Sequence, residues 1–489
     1  MSEVHVNTVM KDLLGMKIST IEKSMRERFI RWPILMLSCF FIVSRHYNYD
    51  IPQGIQVPLE NELALSSFKY NLLYTVYSIP NIIWPLFAGA IIDKIGCRLS
   101  ILIFGSLVVF GQSLFTFGCF QQNFILLLAG RACLGIGGEA VFVIKIPIAA
   151  RWFRPREQGL AMGILFAASR AGSILQSSVT PFVFQQTSSI GYAAMAGAIL
   201  SVFSLLSGVI WVIIDKSAEN YDRERRMIPS VRRLSLAAIF DSDASRMEMS
   251  QIKSIPFLII LIAINAAFVY GTNFTFLGNA NQFLQDRSGL SSVEAGSYIS
   301  YLYIASTIGC LLFGKLVDMI GRRIIGILVG TGLFAIVYIV LILIPNCDGC
   351  ITYLFPMLLL GVALALWTCC LFPCITLASS SSTVGTSMGF VNIMMNICQT
   401  IFPMLTGVLQ GNLTDYESGY YKPLLLYISG AVCAFFSGIL LLIFDTKKLL
   451  NAKSLEQVIA SVKFSSQYSF AAPGLDEDKD EMDIKIEEN

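Results

Sequence analysis

The run Gly89-Ala-Ile-Ile-Asp93-Lys-Ile-Gly96-Cys-Arg98 returns later in the chain as Gly314-Lys-Leu-Val-Asp318-Met-Ile-Gly321-Arg-Arg323, with Gly, Asp, Gly and Arg in one register. Each copy is a short charged turn between two long apolar runs. Such a turn, duplicated in the second half of an apolar chain, implies two homologous helical halves, and paired halves build alternating-access carriers. If Asp93 and Arg98 merely solvated a loop, one copy would be explained and the second, in register, would not.

Composition agrees. Over 489 residues the chain is 55% apolar, 12% aromatic and only 14% charged, and its mean hydropathy of +0.66 would leave a water-exposed globule insoluble. Lipid is the expected solvent. The formal net charge of +2 supplies no field for nucleic acid. The twelve cysteines lie mainly in apolar segments, where thiols pack as small hydrophobes. With His5 and His46 the only histidines, no metal and no cofactor is expected. No nucleophile arrangement or nucleotide loop is legible, so an enzyme is not expected.

A spanning helix needs roughly 20 apolar residues, and twelve such runs can be marked. Six lie near 33–57, 69–92, 99–119, 124–149, 158–184 and 190–214, and six near 255–284, 293–317, 324–344, 352–378, 385–410 and 421–444. The expected fold is an all-α membrane protein with twelve transmembrane helices in two pseudo-symmetric six-helix bundles, 33–214 and 255–444. Lys and Arg concentrate in the arm 1–32, in both repeated turns and at Arg151, Arg154 and Arg156. The opposite loops hold little beyond Lys69, Arg287 and Lys422. Positive segments stay cytosolic, which puts both termini there. Residues 215–254, with Asp222-Arg-Glu-Arg-Arg226, read as a cytosolic linker; 445–489, acidic at Asp476-Glu-Asp-Lys-Asp-Glu481, read as a disordered cytosolic tail.

The turn Gly-x-x-x-Asp-Lys-x-Gly-x-Arg after the second span resembles the signature of the major facilitator superfamily, and its echo after the eighth span falls where that family's pseudo-symmetry would put it. Arg131-Ala-Cys-Leu-Gly135-Ile-Gly137-Gly138-Glu139 resembles the family's second motif. The likeness implies a major facilitator fold, in which Asp93, Arg98, Asp318 and Arg323 hold a cytosolic gate as an ionic latch. A narrower likeness joins Gly135-Ile-Gly-Gly-Glu139, Arg151-Trp-Phe153, Ala168-Ser-Arg170-Ala-Gly-Ser173 and Tyr49-Asp50-x-Pro52 to the lysosomal dipeptide uniporter branch. In that branch the acidic residue of the fourth span and the arginine of the fifth bind substrate, which implies Glu139 and Arg170 here.

The residues support a site independently. Glu139 and Arg170 both fall near the midplane of their spans, where each charge costs roughly 2.5–3.5 kcal/mol unless it meets a partner or a cavity. They can pair with one another as a strut, or receive the amine and the carboxylate of a zwitterion, the planar guanidinium suiting the carboxylate. Ser173 and Ser177 continue the Arg170 face at helical spacing. In the first span Arg45 and Tyr49 share one face, and His46 and Asp50 the next, either as a protonation switch or as a hydrogen-bonded pair. Arg45, His46 and Lys145 do not match the dipeptide branch and favour a substrate with more negative charge. The second half offers Tyr270, Asn273 and Asn281, Trp367, and Asn392, Asn396 and Gln399, an amide stripe that either lines a cavity or glues helices.

The expected function is alternating-access transport of dipeptides or similar small zwitterions, by facilitative uniport across the lysosomal or vacuolar membrane, with the plasma membrane as the alternative. The competing readings are a proton-coupled carrier of organic anions or amino acids and a non-transporting nutrient receptor. The lipid bilayer and a monomeric transport unit are expected, and the branch resemblance implies a glycosylated single-span accessory protein. Asp445-Thr-Lys-Lys-Leu449-Leu450 has the form of an acidic dileucine sorting signal. Cys347-Asp-Gly-Cys350 can close a local disulfide, and Asn412-Leu-Thr414 is a glycosylation sequon in a non-cytosolic loop.

Overall fold

The computed structural model describes residues 30–153, 155–226, 256–347, 349, 351–379, 384–410, 420–445 and 450. Among these residues all regular structure is helical. The first half runs through α1 (Arg31–Gly54), the short α2 (Gln56–Glu62), α3 (Ser67–Ser78), a 3-10 turn (Pro80–Ile82), α4 (Trp84–Ile95), α5 (Cys97–Phe120), α6 (Phe124–Trp152), α7 (Pro155–Thr187) and α8 (Ile190–Arg226). The second half holds α9 (Phe257–Ser288), α10 (Ser292–Ile320), α11 (Arg323–Leu343), α12 (Leu354–Ala378), α13 (Val384–Gln410) and α14 (Tyr421–Phe444).

Both copies of the repeated turn stop a helix by the same device. Gly96 ends α4 at φ 83° and Gly321 ends α10 at φ 74°, a conformation glycine adopts without the clash a Cβ would bring. Between α9 and α10 the chain turns within a few residues: Gly289 is left-handed at φ 59°, and Ser291 and Glu294 then form a reciprocal capping box.

Nine helical segments among the described residues are long and apolar enough to cross a membrane. The three remaining expected spans fall on α1, on α3 with α4, and on α7. The run 69–92 is two helices, because Pro80 and Pro85 supply no N–H to the ladder and a 3-10 turn takes up the break. In α1 the polar residues Ser38, Ser44, Asn48, Asp50 and Gln53 are all buried. The first span loses apolarity because this polar face is turned to the interior of the bundle. The outward surface carries Phe40, Phe110, Ile125, Phe203, Leu311 and Val408, as lipid contact requires. Where α5 meets α6, a Cβ on Gly130 would lie 2.6 Å from the Phe115 nitrogen, so glycine sets the approach of the two backbones.

At the end of the bundle where α1 begins, α8 continues beyond its apolar run with Asp215 and Glu219 one turn apart. Asp215, with a fully buried side chain, accepts from Arg98 Nε at 2.6 Å and from Arg151 Nε at 3.0 Å. Glu219 pairs with both arginines, at 3.0 Å from Arg151 Nη2. In this structure Arg98 therefore ties α5 to α8 inside the first half. The side chains of Asp93 and Asp318 lie outside the described residues. Arg323 is buried at the start of α11.

Candidate functional site

Between the halves lies a cavity holding about 780 Å³ of atom-free space, its open part included. The first half gives it the charged wall: Arg45 and Tyr49 from α1, Glu139 from α6 and Arg170 from α7. The second half gives neutral groups, with Tyr270 and Phe274 from α9 and Asn392, Asn396 and Gln399 from α13. The amide stripe of α13 therefore lines a cavity. Asn281 and Trp367 do not: Asn281 donates to Ser292 O at 3.0 Å, and buried Trp367 donates to Asn265 Oδ1 at 2.8 Å, both within the second half.

Glu139 pairs with Arg45, Nη2 to Oε1. The strut between Glu139 and Arg170 is not formed, because α1 brings a closer guanidinium to α6. Among the described residues Arg170 has no carboxylate partner; its guanidinium stands 6.0 Å from the Tyr303 ring centroid. His46 does not pair with Asp50 either. Its Nε2 accepts from Arg45 Nη1 at 3.0 Å, and buried Asp50 accepts from Ser173 behind the wall.

Lys145 is also behind the wall. It is 1% exposed, its Nζ donates to Ser169 Oγ at 3.3 Å, and the Phe142 and Phe166 rings lie 3.7 and 4.3 Å from it. Phe142, Phe166 and Ser169 all face the cavity, so one layer of side chains separates this amine from the cavity. The aromatic wall was not singled out in the sequence, although Tyr70, Tyr74 and Tyr77 recur at helical spacing on α3. Their organiser is Arg131, which is fully buried. It lies 5.4, 5.1 and 5.1 Å from the centroids of Tyr49, Tyr74 and Tyr77, and donates to the carbonyls of Asn48, Tyr49 and Leu73 at 3.0 to 3.1 Å. This stacking holds Tyr49 and Tyr77 against the cavity.

Every hydrogen bond described between the halves lies level with the cavity or beyond it, toward the end where α1 finishes. Asn71 and Asn279 exchange bonds at 3.2 and 3.0 Å, Gln56 adds a bond to Asn279 at 3.2 Å, and Gln282 donates to Glu60 at 3.2 Å. Tyr70 donates to Gly278 O at 2.6 Å. Backbones also touch there: a Cβ on Gly296 would lie 2.1 Å from Ser177 O, and one on Gly407 would lie 2.6 Å from Phe68 Cα. At the opposite end a Cβ on Gly163 of α7 or on Gly314 of α10 would meet nothing within 4 Å. The cavity is thus shut at one end by amides together with the Tyr70 hydroxyl and the Glu60 carboxyl.

A model of the Major Facilitator Superfamily matches residues 35–403. The chain belongs to that superfamily. It is 26% identical over 392 residues to the lysosomal dipeptide transporter MFSD1 of Bos taurus, covering 78% of this chain and 79% of that one. The Danio rerio protein of the same name is 26% identical over 429 residues, covering 85% and 87%. Among solved structures, the nucleoside transporter NupG superposes with a TM-score of 0.61 at 12% identity, covering 84% of this chain and 99% of that one. A bacterial homolog of the human lysosomal transporter Spinster does so with a TM-score of 0.56 at 15% identity, covering 85% and 97%. These likenesses give the transporter fold and a multi-pass membrane protein, not an enzyme.

Three smaller expectations meet the structure at its edges. Cys347 is disulfide-bonded, while Cys350 and Asn412 lie outside the described residues. Leu450 is buried and its N–H donates to Asp445 Oδ2 at 3.1 Å. A dileucine signal must present its leucines to an adaptor; Leu450 is not so presented, and Leu449 lies outside the described residues.

Proposed function

We propose that this transporter carries dipeptides or similar small zwitterions by facilitative uniport across the lysosomal membrane. The observation that carries the reading is the placing of Glu139 and Arg170 on one cavity wall, a carboxylate engaged by an exchangeable side chain and a guanidinium without an acid. The bond from Arg45 uses Oε1; Oε2 is the oxygen a substrate ammonium meets, while Arg170 takes the terminal carboxylate with its two-pronged edge. The names of the relatives support the substrate class and the membrane. With both termini in the cytosol, as the positive segments imply, the amide-sealed end is the luminal one and the halves rock about the cavity.

Uptake into proteoliposomes loaded with unlabelled dipeptide, with no pH gradient, tests transport and uniport together. Glu139→Gln is expected to lower uptake of a free dipeptide by about tenfold or more, whereas an N-acetylated dipeptide, which has no ammonium, loses comparatively little. Equal loss of both would assign Glu139 to helix packing alone. Uptake that appears only with an imposed proton gradient would replace the uniport reading by proton coupling.

A further inference from the structure

The cavity has more fixed cations than a zwitterion can answer. Arg45 is spent on Glu139. Asp50 and Arg131, both buried behind the wall, offset one another. That leaves Arg170 and Lys145, neither of which has a carboxylate within ion-pair distance among the described residues. The second half contributes neutral side chains to the cavity and restores nothing. A dipeptide with an uncharged side chain supplies one carboxylate, for Arg170, and brings its own ammonium. The amine of Lys145 is then unanswered in a site with little water, and such a charge is costly to keep.

We infer that Lys145, acting through Ser169 and the Phe142–Phe166 layer, forms a subsite for a second carboxylate, so that the preferred substrate is a dipeptide with an acidic side chain. The inference rests on the dipeptide reading above and deepens it. Lys145 Nζ and Ser169 Oγ are joined at 3.3 Å, and Ser169 precedes Arg170 on α7 with both facing the cavity. One substrate can therefore set its terminal carboxylate at Arg170 and its side-chain carboxylate at Ser169. In this structure the Ser169 hydroxyl donates to Leu165 O at 3.0 Å; turned toward a carboxylate it passes on the hydrogen bond it accepts from Lys145, and the ammonium attracts across one layer of rings where solvent screening is weak. Phe142 and Phe166 have a second role, holding the ammonium by cation–π contact when the cavity is empty.

The experiment is competition for counterflow in proteoliposomes by Ala-Ala, Ala-Glu, Ala-Lys and glutarate. Ala-Glu is expected to compete at a concentration about tenfold below Ala-Ala, with Ala-Lys weakest. In Lys145→Gln, the ratio between Ala-Ala and Ala-Glu is expected to fall to about threefold or less. The inference is overturned if wild-type protein ranks Ala-Ala with Ala-Glu, a result that needs no variant to fold and leaves the dipeptide reading intact. It is overturned equally if a monodisperse Lys145→Gln protein keeps the full ratio. Should glutarate compete while no dipeptide does, the acidic subsite stands and the dipeptide reading falls.

Discussion

Arg45 of α1 and Glu139 of α6 form an ion pair in the cavity wall, with side chains only 13% and 7% exposed. A pair so placed stabilises only while both members are present, since removing one strands the other in a dry site. Arg45→Gln and Glu139→Gln are each expected to destabilise the detergent-solubilised protein by about 3–5 kcal/mol, and the double variant by much less. Thermal unfolding of the four proteins gives the coupling directly. Additive losses would mean that the two groups act independently.

The arginine cluster on α5, α6 and α8 has an internal contrast to exploit. The Asp215 side chain is fully buried and holds both Arg98 and Arg151, whereas the Glu219 side chain is 36% exposed. Asp215→Asn takes the buried carboxylate from both guanidinium groups and leaves them the more exposed Glu219, so it should lower the unfolding temperature strongly. Glu219→Gln should cost roughly 1 kcal/mol or less because water screens it. Comparable losses would show that burial does not set the strength of this cluster.

The fold was readable in the chain because hydropathy and the duplicated turn report on single segments. Gly96 and Gly321 announce their helix stops, and charges such as Glu139 and Arg170 are conspicuous against apolar surroundings. Partner choice was not readable. Whether Glu139 meets Arg45 or Arg170 depends on how α1 and α7 are rotated against α6, and depth along each helix does not encode rotation. The seal between the halves was hidden for another reason: Asn71, Asn279 and Gln56 are neutral amides with ordinary spacing, indistinguishable in sequence from those that join neighbours within one half. The Arg131 stack was half visible, as an arginine in a motif and a tyrosine stripe on another segment, with nothing to connect them.

The seal should open under a small steric load. A Cβ on Gly296 would come 2.1 Å from the Ser177 carbonyl, a distance no packed backbone tolerates, so α10 must back away from α7. Gly296→Ala is expected to weaken the closed end and expose the cavity there. A cysteine placed at Asn396, on the cavity wall, should then react several-fold faster with a membrane-impermeant thiol reagent added on that side. This reading of the close approach fails if reactivity is unchanged in protein that unfolds at the wild-type temperature.

Glu60 links the same seal to protons. It lies on α2, between the first two expected spans, where burial lifts its carboxyl from 4.5 to about 7 and Asp286 adds to the rise, against the hydrogen bonds of Gln56 and Gln282. When the end opens and water reaches Glu60, its affinity for a proton returns toward the ordinary carboxylate value. Closure therefore takes up a proton between about pH 4.5 and pH 7. The raised value means that the ionised form opposes closure: the penalty is complete above pH 7, of order 3 kcal/mol at most, and disappears as pH falls toward 4.5. Acid on this side should favour the sealed state. Double electron–electron resonance between spin labels across this end should show the closed distance gaining population as pH falls from 7.5 to 5. Glu60→Gln, which needs no proton to be neutral, should hold the closed population nearly constant over the same range. A wild-type distribution that does not move with pH, or a Glu60→Gln variant that moves as much as wild type, would place the proton elsewhere.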